Sequence, residues 1–181
     1  MLDESSQRRF GNCKTMIKNE IKELESYISK NHKSNGMFCL IDGAQIDHES
    51  GLNIEQAYGV CDYLFKGTFE EEAYLYGPIL VNLSYVNDQQ LENLFKLMKD
   101  KDSLVFFQSF LEPKPLRNSL LEKLYIEFED GEIGILRFYD PRILIRLSNI
   151  INSEQTEQFM DGINTFYFTL NSLNYEIKTN A

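Results

Sequence analysis

Basic residues are scarce in this sequence relative to acidic ones. The 181-residue chain carries 18 Lys and Arg side chains against 28 Asp and Glu side chains, which gives a formal net charge of -10. The lysines are scattered, and no stretch interleaves basic with aromatic residues as a surface for stacking bases would. Because an acidic protein repels a phosphate backbone unless a local basic patch intervenes, we expect no nucleic-acid partner.

Cysteines are few, and long apolar runs are absent. Cys13, Cys39 and Cys61 form no C-x-x-C pair, and an odd count without regular spacing argues against a disulfide framework. The first residues, MLDESSQRRFGNCK, contain no apolar stretch like the core of a signal peptide. No later window approaches the roughly 18 consecutive apolar residues of a membrane helix. We therefore expect a soluble, cytoplasmic protein with reduced thiols and no membrane partner.

Common catalytic signatures are also missing, namely the GxxxxGK(S/T) phosphate loop, the GxSxG elbow and the HExxH zinc motif. The segment IDGAQIDHES is the remaining candidate for chemistry. Its Asp42, Asp47, His48 and Glu49 could serve as acid, base or metal ligands, with Cys61 as a further ligand. Their spacing matches no known ligand pattern. We expect a protein that is not an enzyme and needs no cofactor or metal; a small hydrolase or metal enzyme built on the His48 loop is an alternative.

Apolar residues recur at helical spacing in some segments and form short runs in others. The runs predict strands at Met37–Asp42, Ile79–Leu83 and Leu104–Phe110, and Pro78 favours a sheet edge for the second of them or a start after the proline. The helical stripes are Ile17, Ile21, Leu24 and Ile28; Leu91, Leu94, Phe95 and Met98; Leu116, Leu120, Leu121 and Leu124; and Ile143, Leu144, Leu147, Ile150 and Ile151. We predict a weaker helix near Ile54 to Leu64. The sequence after Asn152 predicts a short polar helix and two strands that flank a turn at Asn171-Ser172. These alternating elements predict an α/β or α+β fold with a central mixed sheet, a C-terminal β-hairpin and flanking amphipathic helices.

The clearest hairpin signal is LYIEFEDGEIGILRFYD, in which Asp130-Gly131 separates two alternating runs. An Asp-Gly pair suits a two-residue type I′ turn, which pairs Glu129 with Glu132. We predict that the strands of this Leu124–Tyr139 hairpin join the central sheet and turn one apolar face to the core. The predicted cross-strand pairs on that face are Phe128 with Ile133, Ile126 with Ile135 and Leu124 with Arg137.

Charged residues surround the proline of GILRFYDPRILIRL. Asp140 is placed to cap the helix that begins at Pro141, where a missing N–H costs nothing. Arg137 faces the core in the predicted register, so its guanidinium needs a carboxylate, and Asp42 is the first candidate and Asp140 the second. Two further arginines on the helix would flank the same corner. The candidate cluster comprises Asp42, Arg137, Tyr139, Asp140, Arg142 and Arg146, and it either fixes a corner of the fold or faces a partner protein.

Several segments, in order along the chain, resemble a known protein family. FCLIDGAQ, YLYGPILVNL, SLVFFQSF and above all ILRFYDPRIL are similar to the adaptor domain of type VI secretion systems, a bacterial family first known as a domain of unknown function. The arginine, aromatic, Asp-Pro-Arg run is the most recognisable element. The later EQFMDGIN resembles the Phe- and Gly-containing stretch that often follows, so the resemblance covers about residues 36–164.

The resemblance implies a cytoplasmic chaperone that holds a toxic effector and helps load it onto the secretion spike, a VgrG or PAAR-type protein. It implies no catalytic chemistry. Many relatives carry a longer helical C-terminal lobe, for which this sequence has little room after Asn152. We expect one globular unit that comprises an N-terminal helix and turn (1–35), an adaptor core (36–152) and a short C-terminal extension (153–181).

An immunity protein that neutralises a toxin is a further alternative, because it would share the small size and the acidic charge. The two functions differ in whether the bound toxin is still delivered.

Overall fold

The structure, a computed structural model, describes residues 16–20, 23–34 and 36–179. In these ranges the chain forms a seven-stranded sheet, a separate two-stranded hairpin and α-helices on both faces of the sheet. The strands are β1 (Met16–Glu20), β2 (Met37–Asp42), β3 (Cys61–Tyr63), β4 (Pro78–Asn82), β5 (Leu104–Gln108), β6 (Tyr125–Glu127), β7 (Ile133–Ile135), β8 (Thr165–Leu170) and β9 (Leu173–Thr179). The α-helices are α1 (Leu24–Asn31), α2 (Ile54–Tyr58), α3 (Asp88–Lys101), α4 (Pro113–Leu124), α5 (Pro141–Ile150) and α6 (Ser153–Met160).

The large sheet is antiparallel at every pairing between its described strands. Its strand order is β1-β9-β8-β5-β2-β4-β3, so the last two strands of the chain lie inside the sheet between β1 and β5. The predicted α+β class is confirmed, with its central sheet, C-terminal hairpin and flanking helices. The sheet was predicted to be mixed, but every pairing between its described strands is antiparallel.

Strand β2 is buried on both faces, which explains why its sequence MFCLID is a nearly continuous apolar run. Phe38 and Leu40 face the layer formed by α4, α5 and α6. Met37, Cys39 and Ile41 face the opposite layer, formed by α1, α2 and α3. Because side chains alternate along a strand, one strand supplies both cores of this three-layered molecule.

Most predicted helices form where the apolar stripes place them. The α3 stripe is buried, as are Leu116, Leu120 and Leu124 of α4 and Leu144 and Leu147 of α5, but Ile150, predicted in the α5 stripe, is 77% exposed. Helix α2 is shorter than predicted because Gly59, with φ of +102°, ends it. The tail forms α6 and the β8–β9 turn at Asn171 and Ser172, whose φ angles are 51° and 66°. No helix in the described ranges has the length and apolar content to cross a bilayer.

The predicted N-terminal helix is wrong at its first stripe position. Ile17 lies in β1 and pairs with Lys178 of β9, whereas Ile21 lies outside the described residues. Leu24 and Ile28 are buried in α1 as predicted. The helical spacing of apolar residues before Leu24 is a weak local preference. Pairing with the edge of β9 outweighs it and makes this segment a strand.

The predicted register of the β6–β7 hairpin is wrong by one residue. Phe128 N–H donates to the Glu132 carbonyl (2.8 Å), and Gly131 N–H donates back to the Phe128 carbonyl (2.9 Å) with Gly131 at φ +82°. This is a three-residue loop with a left-handed glycine, not a two-residue type I′ turn. The predicted placement of this hairpin in the central sheet is also wrong, because β6 and β7 form a sheet of their own. Ile133, predicted to face the core opposite Phe128, lies opposite Glu127 and is 71% exposed.

Pro78 begins β4 inside the sheet, between β2 and β3, so both predicted alternatives are wrong: the strand is not at an edge, and it starts at the proline rather than after it. A proline at the first position of a strand costs little because its carbonyl can still accept. That carbonyl accepts from the Leu64 N–H at 3.0 Å. Leu83, predicted as the last strand residue, begins a short 3₁₀ turn instead.

Candidate functional site

The predicted charged cluster forms where β2 meets the start of α5. Asp42 ends β2, and its side chain lies on the same face as Phe38 and Leu40 because strand side chains alternate. Arg137 lies in the turn between β7 and α5, and its Nη2 donates to Asp42 Oδ2 at 2.7 Å. The structure therefore joins the pair favoured from sequence, although 95 positions separate the two residues.

The carboxylate is the buried member of this pair. The Asp42 side chain is 1% exposed, whereas the Arg137 side chain is 43% exposed. The predicted core-facing strand position of Arg137 is wrong, since β7 ends at Ile135 and the guanidinium reaches inward from the surface. Arg137 thus covers the buried Asp42 carboxylate, and part of its guanidinium remains exposed to solvent.

Asp42 also shapes the backbone that follows β2. Its Oδ1 accepts from the Ala44 N–H at 3.3 Å and caps a short 3₁₀ turn. Burial raises the pKa of the Asp42 carboxyl, and the nearby Asp140 charge adds to the rise, although the charge of Arg137 and the two hydrogen bonds oppose it. The cost of ionising this buried group makes its arginine partner important to the fold.

Asp140 caps α5 as predicted. Its Oδ1 accepts from the Arg142 backbone N–H at 2.9 Å, and Pro141 occupies the first helical position. The Arg142 guanidinium also grips the carboxylate with two nitrogens, Nε at 2.9 Å and Nη2 at 2.7 Å. Burial alone would raise the pKa of Asp140, but the hydrogen bonds and charges of Arg142, with the charge of Arg137, lower the pKa below its ordinary value.

Asp140→Asn should lower the free energy of unfolding by about 1 kcal/mol at neutral pH, because asparagine keeps the cap but loses the charge. The lowered pKa means that the carboxylate stabilises the fold above its ordinary pKa of 3.8, and that this stabilisation is lost as the pH falls through the folded-state value. The gap between wild type and variant should therefore close in strong acid. Urea unfolding at a series of pH values measures it, and a gap that is constant with pH would contradict the assignment.

Tyr139 and Phe138 anchor the cluster to the core beneath α5. Both are buried, and their rings meet edge to face with centroids 6.3 Å apart. The Arg137 guanidinium lies 5.8 Å from the Tyr139 ring centroid. Burial raises the pKa of Tyr139 to about 12, so its hydroxyl is protonated at neutral pH. Arg146, the last predicted member, is exposed one turn beyond Arg142 and forms none of the ion pairs seen among the described residues.

Side chains of the His48 loop make local structural contacts. Asp47 Oδ1 accepts from the Glu49 and Ser50 backbone N–H groups, both at 3.2 Å, and so caps a second 3₁₀ turn. His48 Nε2 donates to the Gly43 carbonyl at 2.8 Å, and its ring packs edge-on against Tyr76. Asp42, the other predicted member of this loop, points instead to Arg137.

Cys61, the further ligand considered for that loop, lies in β3. Its thiol donates to the Gly59 carbonyl at 3.2 Å, and burial, aided by the Glu55 charge, raises its pKa to about 12. Cys39 and Cys61 carry free thiols, and Cys13 lies outside the described residues. Across the described ranges no group of three or more His, Cys, Asp or Glu side chains is placed to hold a metal ion.

Arg117 was not predicted as a site residue, yet it holds the loop after β3. Its Nη2 donates to the carbonyls of Leu64 (3.2 Å) and Lys66 (2.9 Å), and its Nε pairs with Asp62 at 3.3 Å. Within the sequence, Arg117 is one charge on an amphipathic helix. No local pattern links it to a loop that lies 51 positions away.

An apolar groove beside β3 was also not predicted. Val60 and Tyr85, both largely exposed, line it together with Phe38, Leu80 and Leu116. The groove lies where the edge strand of the sheet meets the start of α4. Its residues come from four separate segments, so only the folded arrangement brings them together.

The sequence profile of one protein family matches residues 37–158, a span that begins at β2 and ends in α6. The matched span contains the whole charged cluster and the β6–β7 hairpin. No curated protein and no solved structure matches the chain. Because the profile covers more than half of the sequence, the chain belongs to the family described as a domain of unknown function, DUF4123.

Proposed function

We propose that the protein is a cytoplasmic adaptor that binds a toxic effector and helps load it onto the spike of a type VI secretion system. The observation that carries this proposal is the element ILRFYDPRIL, which lies inside the matched family span and resembles the most recognisable element of the secretion adaptors. The partners are the effector and a VgrG or PAAR-type spike protein.

The place of this element in the fold is compatible with a partner-facing role. Its Asp140 carboxylate and the Asp42 carboxylate that pairs with Arg137 are buried, whereas the Arg137 and Arg142 side chains are 43% and 52% exposed. A planar guanidinium fork that is already fixed by one carboxylate loses little entropy when its free edge binds a carbonyl or a second carboxylate. The same residues can thus fix the corner and offer donors to a protein partner.

Exposed apolar side chains supply the second line of support. The groove beside β3 presents Val60 and Tyr85, and large side chains such as Phe69 and Phe110 are also exposed. Apolar surface that is grouped around a groove is typical of protein interaction sites. A chaperone that shields a partner segment needs such surface.

Deletion of the gene in the native host should abolish secretion of one effector while the apparatus continues to fire. Co-expression and affinity purification should recover a stable complex of this protein with that effector or with its spike protein. A bound toxin that is neutralised but never delivered would instead support an immunity protein. Equal loss of every effector, or turnover of a substrate that His48→Ala abolishes, would overturn the adaptor proposal.

A further inference from the structure

The β6–β7 hairpin projects from the molecule as its own two-stranded sheet. It is tied to the core at its base, where Leu124 is buried and Leu136 N–H donates to the Leu124 carbonyl at 2.7 Å. Tyr125 and Leu136 pack against the same core. An isolated two-stranded hairpin is only marginally stable in water, so this anchorage explains how the tip keeps its shape without a covering layer.

The tip of the hairpin exposes large apolar side chains. Ile133 is 71% exposed, Ile135 40% and Phe128 52%. Ile133 and Ile135 lie on one face, opposite Glu127 and Tyr125. Phe128 lies on the other face across Gly134, where an added Cβ would come within 2.6 Å of its ring. The hairpin therefore exposes apolar side chains on both faces, and these are available to a partner.

The same hairpin concentrates negative charge. Its four acidic side chains, Glu127, Glu129, Asp130 and Glu132, are all exposed, and no basic residue lies between Lys123 and Arg137. None of them forms an ion pair with another described residue. We define the hairpin surface as residues 127–135, which expose Ile133 and Ile135 on one face, Phe128 on the other, and carboxylates around them.

A neighbouring loop also exposes apolar and acidic side chains next to the hairpin surface. The Tyr125 hydroxyl donates to the Glu70 carboxylate, which places residues 68–72 against the base of the hairpin. The loop carries Phe69, which is 98% exposed, and two further acidic residues, Glu71 and Glu72. Apolar and acidic groups therefore continue beyond the hairpin itself.

We propose that the hairpin surface binds a basic, amphipathic segment of the partner protein. Charge complementarity selects this occupant, because lysine or arginine side chains would meet the exposed carboxylates while apolar residues cover Ile133 and Ile135 on one face of the hairpin. A second copy of this chain would bring the same carboxylates together, and nucleic acid or an anionic membrane would be repelled. This inference rests on the proposed function for the identity of the partner, and on the hairpin alone for its chemistry.

A synthetic amphipathic peptide of leucine and lysine, labelled with a fluorophore, is the direct probe. It should bind the purified full-length protein with an affinity that falls as salt rises, because the carboxylates are exposed to solvent. A leucine and glutamate peptide of the same length should not bind. If the two peptides bind equally, or if the lysine peptide does not bind, the proposed partner chemistry is wrong.

Two variants locate the binding site. Ile133→Thr with Ile135→Thr keeps β-branched side chains in the strand and should weaken binding of the lysine peptide about tenfold or more, since the apolar contacts supply most of the affinity. Ile150→Thr is the matched control, because Ile150 is 77% exposed at the end of α5 and should not change binding. Replacing the four hairpin carboxylates by amides should weaken binding and remove most of its salt dependence. Unchanged binding by both hairpin variants would overturn the inference.

Complementation separates this inference from the proposed function. In the deletion strain, a gene carrying the Ile133→Thr and Ile135→Thr pair should fail to restore secretion of the effector, whereas the Ile150→Thr gene should restore it. Full restoration by the hairpin variant would refute the docking surface while leaving the adaptor function intact. If deletion has no effect on secretion but the peptide still binds the hairpin, the adaptor function is wrong and the surface stands.

Discussion

Arg137→Ala should lower the free energy of unfolding by about 2–4 kcal/mol at neutral pH, because it leaves a buried carboxylate without its cationic partner. Asp42 is 1% exposed and would keep only the Ala44 N–H, a long hydrogen bond of 3.3 Å. The guanidinium that is lost is 43% exposed, and solvent screening therefore favours the lower half of that range. Urea unfolding of the purified variant and wild type measures the difference.

A double-mutant cycle tests the cause of this loss. Asp42→Asn combined with Arg137→Ala should recover part of the stability that Arg137→Ala removes, because no buried charge is left without a partner. Arg146→Ala is the matched control, since Arg146 is an exposed arginine on the adjoining helix and should change stability by less than about 0.5 kcal/mol. No recovery in the double variant would show that the arginine stabilises the fold through contacts other than the Asp42 charge.

The pH dependence of the Arg137→Ala defect has a definite sign. Burial raises the pKa of Asp42, and removing Arg137 takes away the main influence that opposes the rise. The protonated carboxyl stabilises the fold fully below its ordinary pKa of 3.8, and this contribution is lost as the pH rises through the folded-state value. The defect should be largest at neutral pH and shrink as the pH falls, and a defect that grows in acid would contradict this account.

The same variant decides between the two interpretations of the charged cluster. Loss of stability together with loss of effector binding would mean that the cluster acts by fixing the fold. A variant that unfolds like the wild type but no longer binds the effector would place the exposed guanidinium in the interface. Arg142→Ala offers a parallel test, because its side chain is 52% exposed and its partner Asp140 is also buried, with a side chain that is 6% exposed.

The Asp42–Arg137 pair was predictable because the physical demand is strong and the candidates are few. The sequence places Asp42 at the end of a buried strand, and Arg137 and Arg142 on either side of the Asp140 helix cap. Strand alternation puts Asp42 on the face of Phe38 and Leu40, the face that α5 covers. The prediction assigned this demand to a core-facing Arg137, which is wrong. In the structure the demand comes from the buried Asp42 carboxylate, and the same ion pair satisfies it across 95 positions.

The hairpin register was not predictable from the same kind of reasoning. Asp-Gly suits both a two-residue type I′ turn and a three-residue loop that ends in a left-handed glycine. Burial of one face normally decides between such registers. Here Phe128 lies on one face and Ile133 on the other, both exposed, so no burial constraint selects the register.

Strand order and the N-terminal segment also depend on distant contacts. The β8–β9 hairpin lies between β1 and β5, although α4, α5, α6 and the β6–β7 hairpin separate it from β5 in sequence. Ile17 could continue the helical stripe of Leu24 and Ile28, and its strand conformation follows from the edge that β9 provides. The spacing of apolar residues predicts the secondary structure of one segment. Which other segment packs against it depends on contacts across the whole fold.

Gly43→Ala should lower the free energy of unfolding by about 3 kcal/mol or more, because the added methyl group has no room. A Cβ at this position would lie 2.2 Å from the Leu75 carbonyl oxygen and 2.6 Å from the Gly77 carbonyl oxygen. Both are backbone atoms of the segment that leads into β4, and the Gly43 N–H already donates to the Gly77 carbonyl at 3.0 Å. Relief of the clash requires moving the backbone rather than rotating a side chain.

Gly51→Ala is the matched control for this substitution. Gly51 has φ of +72° and nothing within 4 Å of an added Cβ, so alanine there pays only for the left-handed backbone, about 1 kcal/mol. Because Gly43 follows Asp42 directly, the displaced backbone should also loosen the Asp42–Arg137 pair. The double variant Gly43→Ala with Arg137→Ala should then lose less unfolding free energy than the sum of the two single losses. Denaturant unfolding of the three variants measures this difference. Equal losses for the two glycine variants would show that the backbone near Leu75 yields easily and that close packing is not what requires glycine after Asp42.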